Sequence, residues 1–141
     1  MKRREARERV LQILFQVDVA KNDVDEVIHS LKREQIIEEK DFSFIEDRVR
    51  GTYQNLKEID ELISKYLKGW TIPRLPNIDR AILRMSVYEL LYEPDISVSV
   101  TLNEAVELAK LYGTAESAKF INGVLGSIVR ENFESKNKES K

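Results

Sequence analysis

The chain contains no cysteine in its 141 residues, one histidine, three prolines, five glycines and a single tryptophan. Without cysteine there is no disulfide, no Cys-ligated zinc and no thiol nucleophile, and a reducing compartment is compatible with the sequence. His29 stands alone on a polar helical stretch. A transition-metal site therefore has no ligand set, and no metal is expected. Long apolar runs are also missing, since nothing approaches the roughly 18 residues of a membrane span. Gln12, Gln16 and Asp18 interrupt the apolar stretch after the basic start, and no small-residue cleavage site follows. A secretory signal is rejected on that ground, and a soluble cytoplasmic protein is expected.

The usual signs of catalysis are absent as well. There is no Gly-rich loop between a strand and a helix, no histidine placed beside a serine and no nucleotide-binding signature. Gly123-x-x-Gly126 falls inside a predicted helix, and the abundant carboxylates are scattered, so no acid/base pair stands out by spacing. The expectation is a protein that is not an enzyme and carries no cofactor. At 42% hydrophobic and 34% charged, the chain suits one domain with a sizeable core better than a disordered chain.

What the sequence does have is a concentrated positive charge at its start. Lys2, Arg3, Arg4, Arg7 and Arg9 face only Glu5 and Glu8 within nine residues, a local +3 on a chain of net −2. A localised basic footprint on an otherwise acidic protein points to a polyanion, with nucleic acid the leading candidate. At about 100° per residue, Ala6, Val10, Ile13, Leu14 and Val17 form the core stripe of a first helix reaching about Ala20. Arg4, Leu11 and Phe15 run along its flank with Arg7 on the border. Such a strip holds the two groups that phosphate pairing and base stacking require. The competing reading is that Phe15 widens the core stripe and the arginines are solvated.

Further along, Asn22 or Asp23 caps a short helix carrying Val24, Val27, Ile28 and Leu31. The spacing of Ile45, Val49, Leu56, Ile59, Ile63 and Leu67 then predicts one long helix, bent near Gly51 and closed at Gly69. Trp70 to Pro76 reads as a linker, because Pro73 and Pro76 cannot sit inside a helix. Asn77 to Tyr92 is apolar almost all round, as in a helix buried between layers. Ser97-Val98-Ser99-Val100 alternates like a strand but has no partner strand, and reads as an extended connector. Thr101-x-x-Glu104 has the form of a capping box, Gly113 of a C-cap and Thr114 of the next N-cap. The last helix uses Ala118, Ile121, Val124, Leu125 and Ile128 as its core face. Phe120 points away from that face, beside Lys119 and over Gly123, as a stacking platform would. Packing of Phe120 on a neighbouring helix is the plainer alternative. The turn at Tyr112-Gly113-Thr114 also admits a helix-turn-helix reading, although the second helix offers few outward cations or amides.

Three blocks carry a resemblance: Ile78-Asp79-Arg80-Ala81-Ile82-Leu83-Arg84-Met85-Ser86-Val87-Tyr88-Glu89-Leu90, then Leu102-Asn103-Glu104-Ala105-Val106-Glu107-Leu108-Ala109-Lys110, then Lys119-Phe120-Ile121-Asn122-Gly123-Val124-Leu125. In order and spacing they resemble the signature of the NusB family of bacterial transcription antitermination factors, and with the Arg-rich start the likeness covers essentially the whole chain. The resemblance implies an all-α fold within 1–133, made of an N-terminal helical subdomain (1–69) and a C-terminal one (76–133), followed by a disordered tail at 134–141. It implies no catalytic activity. It also implies binding of boxA RNA of ribosomal RNA operons together with NusE, a small-subunit ribosomal protein, and indirect association with other Nus factors and RNA polymerase. Carried over by position, the RNA surface falls on Arg3, Arg4, Arg7, Phe15, Glu116, Lys119 and Phe120, and the NusE contact on Asp79 and more loosely on Trp70 and Leu83. Phe15 takes the place of a Tyr and Glu116 that of an Asp, changes that keep the stacking face and the charge. A related fold occurs as the N-terminal domain of a ribosomal RNA cytosine methyltransferase, but this chain has no room for the methyl-donor domain. A homodimer stays open, as do a purely protein-binding helical adaptor and a DNA-binding helical domain.

Overall fold

The computed structural model describes residues 1–133, and the expected tail at 134–141 lies outside them. Seven α-helices follow one another: α1 (Arg3–Ala20), α2 (Val24–Glu34), α3 (Glu39–Gln54), α4 (Leu56–Ser64), α5 (Asn77–Tyr92), α6 (Val98–Tyr112) and α7 (Ala115–Asn132). A single 3-10 turn, Ile72–Arg74, interrupts the linker before α5. The described residues form no strand.

Helix α5 is the axis of the molecule. It packs against α1, α3, α4, α6 and α7, and so must be apolar on every side. Ala81, Ile82, Leu83, Met85, Val87 and Leu90 are all buried. Its two arginines fasten it to its neighbours. Arg80 places Nε and Nη2 on Asp18 of α1 at 2.9 and 2.6 Å, and its Nη1 donates to the Ile72 and Leu75 carbonyls, which pins the linker. Arg84 forms a two-pronged pair with Asp60 of α4, both bonds 2.9 Å. The remaining packing follows the apolar stripes. Ala6, Val10, Ile13 and Leu14 of α1 are buried, as are Val27 and Ile28 of α2, and Ala118, Ile121, Val124, Leu125 and Ile128 of α7. Val17, expected in the α1 stripe, is only partly buried, whereas Leu11, placed on the flank, is 1% exposed.

Two local expectations are corrected. The long helix breaks at Asn55, four residues beyond Gly51, where the backbone turns to φ −115°, ψ 20° and the Asn55 amide donates to the Gly51 carbonyl at 2.9 Å. Gly51 serves a different purpose, because the Tyr88 ring occupies the space a Cβ would need. Helix α4 ends at Ser64 rather than at Gly69, and Gly69 occupies the left-handed region (φ 77°) in the turn that follows. The second correction concerns Ser97-Val98-Ser99-Val100. This segment is the first turn of α6, with the Ser97 hydroxyl accepting from the Val100 amide. Thr101 therefore caps nothing, and Glu104 closes no capping box. The Thr114 cap does form, accepting from the Ser117 amide at 3.0 Å. Gly113 ends α6 at φ −110°, where the Ser117 side chain stands 2.7 Å from the position of an added Cβ.

The released Thr101 points inward and donates to Glu89 Oε1 at 2.8 Å. Glu89, 4% exposed in the last turn of α5, also accepts from Arg7 of α1 at 2.8 and 3.2 Å. Arg48 of α3 lies 3.8 Å from the same carboxylate. Removing one partner of a buried pair strands the other charge at a cost of about 3–5 kcal/mol. Glu89→Ala is accordingly expected to destabilise the protein by about that amount in chemical denaturation. A loss below 1 kcal/mol, the range of an exposed pair, would contradict the arrangement.

Candidate nucleic-acid interface

The basic cluster of α1 is divided by burial. Arg7 is 6% exposed and committed to Glu89, so it belongs to the interior and is removed from the expected RNA surface. Arg3 is exposed, lies over the Phe44 ring at 4.3 Å and approaches Asp41 at 3.8 Å. Arg4 is exposed and forms a two-pronged pair with Glu104 of α6 at 3.0 and 3.1 Å, which pushes its pKa above the ordinary arginine value. Arg48 lies over the same Phe44 ring, 3.6 Å from its centre, and burial pulls its pKa down. Asp41, Phe44, Glu89 and Glu104 thus hold the arginines in place, and no local pattern singles out Asp41, Phe44 or Glu104 for that role. The signal in the sequence is Glu89, a carboxylate amid the apolar residues Val87, Leu90 and Leu91 of α5.

Phe15 is half-buried and lines an apolar groove of about 410 Å³ with Leu11, Val19, Ile78 and Tyr112. A second recess of about 210 Å³ adjoins it in sequence, lined by Asp79 next to Ile78 and by Thr114 beyond Tyr112, with Trp70, Glu116, Ser117 and Phe120. Trp70 and Phe120 also line a third groove of about 420 Å³, with Lys119, Gly123, Ser127 and Arg130. The structure therefore brings Glu116, Phe120, Asp79 and Trp70 around one recess, with Lys119 and Phe120 together in the neighbouring groove. Leu83 does not join them. It is 0% exposed in the core of α5, which excludes it from any contact surface.

Asp79 is 4% exposed, and its Oδ1 has no hydrogen-bond partner. Burial raises the Asp79 pKa above the usual carboxylate value, with Ser117 acting in the opposite sense. A carboxyl group that binds its proton more tightly folded than unfolded loses stability as the pH rises through its folded pKa. The difference in melting temperature between Asp79→Asn and wild type should consequently shift in favour of the variant from pH 4 to pH 7. No shift would show that the carboxylate is well solvated in the recess, and a shift in favour of wild type would show that a partner stabilises its charged form; either contradicts the unpartnered burial of Asp79.

Comparisons with known proteins place the chain in a family. The model of the NusB family matches residues 4–130. The chain belongs to the NusB family. The transcription antitermination protein NusB of Bacillus pumilus is 49% identical over 129 residues, covering 91% of this chain and 95% of that relative. Among solved structures, NusB of T. maritima superimposes with a TM-score of 0.88 at 38% identity, covering 99% of this chain and 98% of the other. A structure of the antitermination factors NusB and NusE in complex with dsRNA matches with a TM-score of 0.83 at 26% identity, covering 92% and 96%. The all-α architecture expected from the sequence is thus that of NusB structures. No helix among the described residues is long and apolar enough to cross a membrane.

Proposed function

We propose that this protein is a cytoplasmic, non-catalytic transcription antitermination factor that binds boxA RNA of ribosomal RNA operons together with NusE. Other Nus factors and RNA polymerase are reached through that complex. The observation that carries this reading is that exposed cations and accessible aromatic rings occur together: Lys119 and Phe120 line one groove, which shares Phe120 with the Asp79 recess, and Phe15 lines an apolar groove on α1, the helix that carries Arg3 and Arg4. The exposed Arg4 stands on the Phe15 side of α1. Cations beside accessible aromatic faces suit single-stranded RNA, whose unstacked bases are free to stack. The solved NusB–NusE–dsRNA assembly of a relative supports the same partners.

Within this surface, Arg3 and Arg4 take phosphates, Phe15 and Phe120 take bases, and Lys119 neutralises a phosphate beside Phe120. Glu116, exposed at the rim of the recess, restrains affinity by repelling the backbone. Asp79 serves NusE, its buried carboxylate receiving a cationic side chain that enters the recess. That entry supplies the counter-charge that the Asp79 Oδ1 lacks in the free chain.

Titration with a boxA-type RNA, with and without NusE, over a range of salt concentrations tests the reading. Each single-strand phosphate contact contributes about 0.7 to the slope of log affinity against log salt. Arg3→Ala and Arg4→Ala should each lower the slope by about that amount, and Arg7→Ala should leave it unchanged while lowering the melting temperature. Equal slopes in all four proteins would remove α1 from the RNA surface. Phe120→Ala should weaken RNA binding by about 1–3 kcal/mol, the usual worth of one stacked base. If it instead costs about 3–5 kcal/mol of folding stability, the ring is a core residue.

A further inference from the structure

The groove along α7 extends well past the residues that the family likeness assigns to RNA. Lys119, Gly123, Ser127 and Arg130 recur along one stripe of the helix, so the two cations lie about 16 Å apart along its axis. Opposite them stand Tyr66 and Lys68, beyond the end of α4, and Trp70. Among the described residues, none of Lys68, Lys119 and Arg130 forms a salt bridge, and the one hydrogen bond of Arg130 goes to Ser127 at 3.1 Å. The arginines of α1 and α5, by contrast, are largely matched to carboxylates. Glu131 is the carboxylate against the Tyr66 hydroxyl, and Asn132 donates to that hydroxyl at 3.0 Å. Trp70 is 50% exposed, and nothing lies within 4 Å of where a Gly123 Cβ would be, so a flat ring has access to the floor of the groove.

We propose that the groove between α7 and the Tyr66–Trp70 segment is a second single-stranded RNA subsite, which takes nucleotides flanking those held at Phe15 and Phe120. This rests on the RNA-binding reading and extends it. Unmatched cations spaced along a groove, with aromatic faces between them, are the chemistry of sequence-tolerant single-strand binding. Continuity with Phe120, which lines both this groove and the Asp79 recess, places the subsite on the same strand. An acidic protein segment would use the cations but leave Trp70 and Gly123 without a role.

Trp70 is the only tryptophan of the chain, so its fluorescence reports directly on the groove. A boxA-type core RNA would be titrated against the same RNA lengthened by a few nucleotides at one end or the other. The affinity of each is measured in parallel by an independent method. In the wild-type protein, one of the two longer RNAs should bind about tenfold more tightly than the core and quench Trp70 further, as expected for one additional stacked base. Lys68→Gln combined with Arg130→Gln should bind the core RNA as wild type does, with the gain from lengthening lost and the salt slope for the longer RNA lowered by about 1.4. Gly123→Leu, which keeps every charge but fills the groove, should lose the same gain. If the wild type binds the core RNA but gains nothing from either extension, or if both variants keep the gain, the subsite is refuted and the RNA-binding reading stands. Failure of the wild type to bind the core RNA, with or without NusE, overturns both. Quenching of Trp70 by an acidic peptide in place of RNA would reassign the groove to a protein partner.

Discussion

The Glu89 carboxylate is the constraint around which the rest of the structure is arranged. A carboxylate buried on the central helix is most stable when charge and hydrogen-bonding capacity are supplied around it. Here they come from three helices: Arg7 of α1, Arg48 of α3 and Thr101 of α6. Arg48 is shared with Glu93 at 3.6 Å, and the Phe44 ring covers its face. Apolar packing alone would permit α1 to slide or rotate by small steps against α5. A two-pronged pair between Arg7 and Glu89 does not, because its geometry sets both the rotation and the height of α1.

That fixed rotation has a functional consequence. With Arg7 turned inward, Arg3, Arg4 and Phe15 are presented outward on a helix that cannot turn about its own axis. The exposed cations of α1 are themselves partly matched, Arg4 by Glu104 and Arg3 by Asp41. An RNA strand arriving here competes with carboxylates already in place. A surface of that kind gains less from charge than its arginine count suggests, and relies more on the aromatic faces of Phe15 and Phe120. The salt slope and the stacking contribution are thus separate measurements of one interface.

Much of this was legible in the sequence wherever a signal was local. The apolar stripes of α1, α5 and α7, the Thr114 cap and the linker around Pro73 and Pro76 all depend on neighbours within a few residues. Errors arose where a distant contact overruled the local pattern. The alternation of Ser97 to Val100 favours an extended chain by itself, yet a cap on Ser97 and the demand of Glu89 for the Thr101 hydroxyl make it helical. Gly51 marks the approach of Tyr88 rather than a bend, a reason that lies 37 positions away in the chain. Arg7 lies on the border of the α1 stripe, and only a partner 82 residues distant decides which way it turns. Leu83 enters a contact surface only by its position in a motif, whereas the all-round apolar character of Asn77–Tyr92 already points to a helix covered by its neighbours, and Leu83 is 0% exposed. Asp79 and Trp70, assigned in the same way, do share a recess, although the depth of Asp79 in it was not visible from its place in the first turn of α5.

A double-mutant cycle on Arg7 and Glu89, read by equilibrium denaturation, tests most directly whether their pairing is what fixes α1. The single variants Arg7→Ala and Glu89→Ala each strand the other's buried charge, whereas the double variant removes both and leaves Arg48 with Glu93. The account therefore predicts a double variant less destabilised than the sum of the two singles, by at least about 1 kcal/mol. Additive losses, with a coupling below about 0.3 kcal/mol, would mean that the two side chains act independently and that another contact sets the position of α1.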